Sequence, residues 1–352
     1  MHLKSLGVTH LQLLPFSDFV SVDEERLGDP AYRALRRDGA FNWGYDPGNY
    51  DSPEGSYSSV PSDGQSRVRE LKALVMAAGD AGLGVIMDVV YNHVPEASRS
   101  PLGLTVPGYF FRAESAAGAS ASGAGDDTAS ERPMMRRFMI ASLERWLGDY
   151  RLSGFRFDLM GLHDVGTMRA VESALRRIKG DVLLYGEGWD LYRGAAMRPA
   201  SQPNIRLLER QGLPCRPRGI GMFNDAFRDG IKGSVFDARD RGFIHGGKPG
   251  AGRVEGLKFG IVGATRHPGV DNGLVAGTAM PRPWTGRTAS SVNYVEIHDN
   301  LTLFDKNQLA APGLDDGAYR ALQRLGLGLV LLAEGMPVLH SGGEFMRTKE
   351  LP

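Results

Sequence analysis

The stretch Gly154–Gly161 (GFRFDLMG), read together with Tyr185–Asp190 (YGEGWD), decides the fold. In each, a short apolar run typical of a strand ends on a carboxylate: Asp158 in the first, Glu187 in the second. They lie about 30 residues apart, the length of one strand–helix repeat in a parallel α/β architecture. Carboxylates at the C-terminal ends of neighbouring parallel strands point to the same end of the sheet. Arg156 precedes Asp158 by two residues, so strand alternation puts both on one face. A guanidinium there is expected to keep the carboxylate ionised and oriented.

Two more segments repeat the theme. Val292–Asn300 (VNYVEIHDN) runs from apolar to polar and ends on His298, Asp299 and Asn300; Gly84–Val94 (GVIMDVVYNHV) carries Asp88, Asn92 and His93. Short continuous apolar runs, as expected of parallel strands buried on both faces, also occur at Val8–Leu14, Met222–Asn224 and Val338–His340. Helical periodicity covers Ser66–Ala81, Pro133–Tyr150, Asp164–Ile178 and Gly317–Ala333. Residues 95–132, with an Ala/Ser/Gly/Asp-rich middle at Ala113–Ser130, read as a mobile loop excursion after the strand that bears Asp88. Residues 242–288 read as a Gly/Pro-rich insertion before the strand that leads to Asp299.

The 352 residues carry 41 basic and 41 acidic side chains, so no charge footprint points to nucleic acid or to a membrane surface. No apolar run spans a bilayer; the best, Leu325–Ala333, stops at Glu334. The single cysteine, Cys215, excludes an internal disulfide and a thiolate metal site, and reads as inert. No charged segment followed by an apolar one opens the chain, which favours a cytoplasmic location.

Together the four carboxylate-bearing segments resemble the signature regions of the α-amylase-type glycoside hydrolase superfamily. Phe41–Ser58 (FNWGYDPGNYDSPEGSYS) and Gly219–Gly233 (GIGMFNDAFRDGIKG) narrow this to type I pullulanases, which debranch α-glucans at α-1,6 bonds. The resemblance implies a (β/α)8 barrel over residues 1–352 that lacks its first strand and the usual flanking β-sandwich domains, hence a fragment. It implies a catalytic trio of Asp158 as nucleophile, Glu187 as general acid and Asp299 as a support for the sugar in an oxocarbenium-like transition state. Tyr45 resembles the aromatic that stacks under the glucose being cleaved, and Trp189 a platform on the leaving-group side. His93 and His298 resemble the paired histidines that hydrogen-bond the sugar, while Asp88 resembles a mainly structural acid beside Arg156. Tyr185 and Trp189 are expected to desolvate Glu187 enough for it to act as an acid.

No cofactor is implied. No calcium is assigned to Asn92, because calcium needs six or more oxygen ligands and no acidic loop supplies them. The expected partner is a branched α-glucan such as pullulan, glycogen or a limit dextrin. Leu159-Met160-Gly161 follows the nucleophile where α-1,4-cutting amylases usually carry a Lys-His pair, and this favours α-1,6 cleavage. Two alternatives remain: a catalytically silent glucan-binding fragment, and an isoamylase-like or α-1,4-acting relative.

Overall fold

The computed structural model describes residues 2–37, 43–113, 120–209, 219–247, 250–275 and 283–349; Phe41 and Cys215 lie outside them. The chain divides into two compact units, Met1–Glu187 with Leu191–Ala200, and Gly188–Asp190 with Ser201–Pro352. The sequence led us to expect one catalytic domain.

The first unit is built on four parallel strands: β1 (His10–Leu13), β2 (Gly84–Val89), β3 (Gly154–Phe157) and β4 (Leu183–Gly186). Each pairs with the next in chain order, as right-handed strand–helix–strand units produce. The helices between them are α1 (Gly64–Asp80), α2 (Pro133–Asp149) and α3 (Val165–Ile178). Their starts follow from capping chemistry. Asp63 accepts from the backbone N–H groups of Gln65 and Ser66, Asp164 accepts from that of Thr167, and α2 opens on Pro133. Every residue of β3 is buried, whereas every residue of β1 is only half-buried.

The register builds the level on which the site sits. Asp88 stands opposite Arg156, and Arg156 opposite Tyr185, so three strands present these side chains in one row. The strands approach closely at Gly154, where a Cβ would come within 2.2 Å of the Leu183 carbonyl oxygen. Only glycine fits there.

The second unit has three parallel strands of its own, β5 (Gly221–Phe223), β6 (Ser291–Asn293) and β7 (Met336–Pro337). The last lies two residues before the expected Val338–His340, because pairing with β6 ends at Pro337. Its helices are α4 (Asp225–Lys232), α5 (Ala251–Ile261), α6 (Leu303–Ala310) and α7 (Asp316–Leu332), and its core gathers Phe227, Ile231, Ile244, Leu257, Val295, Leu303 and Val330. A full eight-stranded barrel is thus coarsened to seven parallel strands, four in one unit and three in the other.

The two segments read as loops hold more structure than their composition signals. Segment 95–132 contains a helix, Pro101–Thr105, and a strand, Asp126–Asp127, that pairs antiparallel with His93–Val94. The buried carboxylate of Asp127 collects donors from Ser120, Ala121 and Ser122 and so organises a glycine-rich turn. Segment 242–288 contains α5, which packs on α4; a Cβ on Gly260 would fall 2.0 Å from the Phe227 ring. Glycine there signals close helix contact, which composition alone does not separate from a loop.

Candidate active site

Arg156 is the hub of the first unit's site. It is 1% exposed, and its guanidinium donates from Nη1 to Asp88 Oδ1 (2.8 Å) and Asp158 Oδ1 (2.9 Å), and from Nη2 to Glu187 Oε1 (2.6 Å). One buried cation therefore holds three carboxylates that come from the ends of β2, β3 and β4. Such a cluster persists only if the remaining lone pairs are also satisfied. Here they are. Tyr45 Oη (2.8 Å) and Gln12 Nε2 (3.4 Å) donate to Asp88 Oδ2, and the Leu159 N–H donates to Glu187 Oε2 (2.9 Å).

Burial pushes the Asp88 carboxyl up, to about 7, with Arg156 pulling the other way. Asp88 is fully enclosed. Gln12 was not singled out in the sequence, yet it bridges two rows: it accepts from Tyr185 Oη (2.6 Å) while donating to Asp88. The signal was a polar residue between Leu11 and Leu13 in the run Val8–Leu14.

Directly after β3 the chain turns through Leu159, whose φ of 37° and ψ of 47° are left-handed. For a residue with a Cβ that conformation costs about 1–2 kcal/mol. The turn is what aims the Leu159 N–H at Glu187, and the Gly161 N–H donates to the Glu187 carbonyl (2.8 Å). The backbone after Asp158 thus fixes Glu187, so the two carboxylates are oriented as a pair.

Tyr45 lies with its ring 5.7 Å from the Arg156 guanidinium carbon, a cation–π contact, and its hydroxyl is tied to Asp88. Burial holds the Tyr45 hydroxyl well above the ordinary tyrosine range, so it stays a donor. His93 is buried, with Nε2 2.9 Å from the Tyr45 carbonyl oxygen and Nδ1 2.9 Å from Asn92 Nδ2. These partners fix one neutral tautomer, protonated on Nε2. Burial lowers the His93 pKa, in keeping with that neutral form. Both ring nitrogens of His93, expected to face the sugar, have partners within the protein, one of them the backbone of the Tyr45 segment.

The remaining expected residues belong to the second unit. Trp189 is half-buried. His298 is buried, with Nε2 3.6 Å from Asp299 Oδ2, and the Asp299 side chain is 47% exposed. Asp299 follows β6 on a loop in which Asn300 is left-handed (φ 56°).

Asp18, Glu24 and Glu54 bring ligand oxygens within 4.8 Å of one another, the arrangement a cation needs. Arg67 already serves them, however, pairing with Asp18 and Glu24, while Glu54 accepts from the N–H groups of Phe19 and Ser56. The charge and lone pairs are used in tying strand Ser17–Phe19 to α1, so the cluster is structural.

No model of a protein family matches the chain. Individual relatives do. The pullulanase of Bacillus subtilis (strain 168) is 41% identical over 352 residues, covering 99% of this chain and 44% of that protein. The solved pullulanase of Paenibacillus barengoltzii in complex with maltohexaose and α-cyclodextrin superposes with a TM-score of 0.83 at 42% identity, covering 99% of this chain and 50% of that one. The pullulanase type I of Bacillus subtilis str. 168 complexed with maltose gives 0.84 at 39% identity, covering 99% and 45%. The chain thus spans about half the length, or slightly less, of the relatives it matches, and along 99% of its own length it is a homologue of the pullulanases.

Proposed function

We propose that this chain is the catalytic part of a retaining glycoside hydrolase that cleaves α-1,6 bonds in pullulan and related branched α-glucans, glycogen and limit dextrins included. The observation that carries the reading is the binding of Asp158 and Glu187 to the two terminal nitrogens of one buried guanidinium. That arrangement suits the separation of about 5–5.5 Å used by retaining enzymes. The bound oligosaccharides of the relatives, maltohexaose and α-cyclodextrin in one and maltose in another, support a glucan as the ligand class. The alternation of parallel strands and helices, with pullulanases as structural neighbours, supports a (β/α)8-type barrel as the parent architecture.

In this mechanism an Asp158 carboxylate oxygen attacks the anomeric carbon as the bond to the glycosidic oxygen breaks, and Glu187 gives its proton to that oxygen. The resulting glycosyl ester is then opened by water, whose proton returns to Glu187. Both Glu187 oxygens accept hydrogen bonds here, from Arg156 and Leu159. Each oxygen keeps a second lone-pair position, which is where the proton for the glycosidic oxygen would sit. Asp299 serves as the third carboxylate on sugar hydroxyls, with His298 beside it; Tyr45 and Trp189 offer aromatic faces to the pyranose.

Product analysis on pullulan tests the linkage. Maltotriose as the released product is the expected outcome; panose would assign α-1,4 cleavage, and no product would leave glucan binding alone.

A further inference from the structure

The loop that carries Asp299 is held in a way its own side chain does not explain. Among the described residues, the Asp299 carboxylate has no hydrogen bond beyond the 3.6 Å approach of His298, and it is half-exposed. Its position is therefore set by the backbone of its loop together with the nearby Lys349 charge. Four successive residues, 298–301, run through this loop, and three of their carbonyls are collected by ammonium groups. Lys349 Nζ donates to the His298 carbonyl and to the Asn300 carbonyl (2.5 Å), the residues on either side of Asp299. Lys232, buried on α4, donates from Nζ to the Leu301 carbonyl (3.3 Å).

Lys349 is itself anchored. Its backbone N–H donates to Asp305 Oδ2 (2.9 Å), and Thr348 Oγ1 donates to Asp305 Oδ1 (2.6 Å). Asp305 is fully buried in the first turn of α6, where its own N–H is capped by Thr302 Oγ1 (3.1 Å). A continuous chain of bonds thus runs from α6 through Asp305 and Lys349 to the carbonyls of the residues before and after Asp299. Asn300 is left-handed, a conformation asparagine tolerates, and its carbonyl is turned to accept from Lys349.

We infer that Lys349 is a positioning residue for Asp299: its ammonium clamps the two carbonyls that bracket the carboxylate and fixes where it points. This rests on the reading of Asp299 as the third carboxylate of the site. Misplacing such a group by a fraction of an ångström is costly in the transition state and cheap in ground-state binding. Lys349→Met, assayed on pullulan in the protein at its natural length, is expected to lower kcat about 10–100-fold while KM moves less than about 3-fold. Lys349→Arg, which also offers several donors, should recover most of the lost kcat. Thr348→Val, which removes one anchor and leaves the ammonium, should lower kcat mildly at unchanged KM. Asp299→Asn, run in parallel, separates the two ideas. If Asp299→Asn keeps full activity, the role given to Asp299 is wrong. If it loses activity while Lys349→Met and Thr348→Val both keep wild-type kcat, the clamp is wrong and the role stands.

Discussion

The carboxylates of the proposed mechanism live in two different settings. Asp158 and Glu187 are about nine-tenths buried and bonded to a guanidinium that is itself sealed from water. Asp299 is half-exposed, and what orders it is the backbone of its loop. In the first setting charge is fixed by charge at short range in a poorly screened interior; in the second it is free to meet solvent or ligand. The difference suits the roles proposed for Asp158 and Asp299. A nucleophile must stay ionised and aimed before substrate arrives, whereas a group that grips hydroxyls must remain open to them.

The largest effect that would sharpen this contrast is on turnover. Asp158→Asn is expected to lose about four or more powers of ten in kcat with substrate binding little changed, because an amide cannot form the glycosyl ester. Single-turnover kinetics on pullulan measure it. Activity within about tenfold of wild type would place the nucleophile elsewhere and dissolve the distinction between the two settings.

Stability offers the second comparison. Arg156→Met strands three buried carboxylates without a cation and should destabilise the fold by about 3–5 kcal/mol. Asp299→Asn removes a half-exposed, solvent-screened charge whose neighbours are His298 and Lys349 and should stay within about 0.5 kcal/mol of wild type. Urea unfolding of both variants checks this. Equal losses would mean that burial around Arg156 is not what separates the regions.

Much of this was readable in the chain because motif residues sit where strands end. Asp88, Arg156 and Tyr185 share one level across three strands, and alternation alone put Arg156 and Asp158 on one face. Helix starts were legible to within a residue or two, since Asp63, Asp164 and Asp315 supply caps that local sequence displays. What escaped was non-local. Gln12 bonds across 76 residues to Asp88 and 173 to Tyr185, and no pattern near Gln12 encodes that. The clamp by Lys349 reaches back 51 residues to a backbone carbonyl, an acceptor present everywhere and so invisible as a motif. Helices α5 and α4 touch through glycines, which the same glycine-rich composition made look like loop.

The smallest expected effect probes what supports the buried setting from behind. His163 follows the turn after Asp158, is fully buried, and packs edge-on to Phe157 at 6.4 Å between ring centroids. Arg112, which donates to the Leu162 carbonyl (3.0 Å) and pairs with Glu131 (2.9 Å), is its cationic neighbour. Burial first, and then the Arg112 charge, push the His163 imidazole down to about 3. In the unfolded chain the same ring titrates near its ordinary value of about 6.5. Between those values the unfolded state binds a proton that the folded state refuses. The contribution of neutral His163 is therefore whole above about pH 6.5 and is lost as pH falls toward 3, with a slope of up to about 1.4 kcal/mol per pH unit. Replacing it by leucine, which keeps the apolar contact with Phe157, should flatten the pH dependence of unfolding between pH 4 and 6 by up to about that slope. Urea titrations of both proteins at several pH values give the difference directly. Parallel curves would mean that His163 takes up a proton as readily in the folded protein as in the unfolded chain, and that the turn behind Asp158 is wetter than the ring of buried side chains around Arg156.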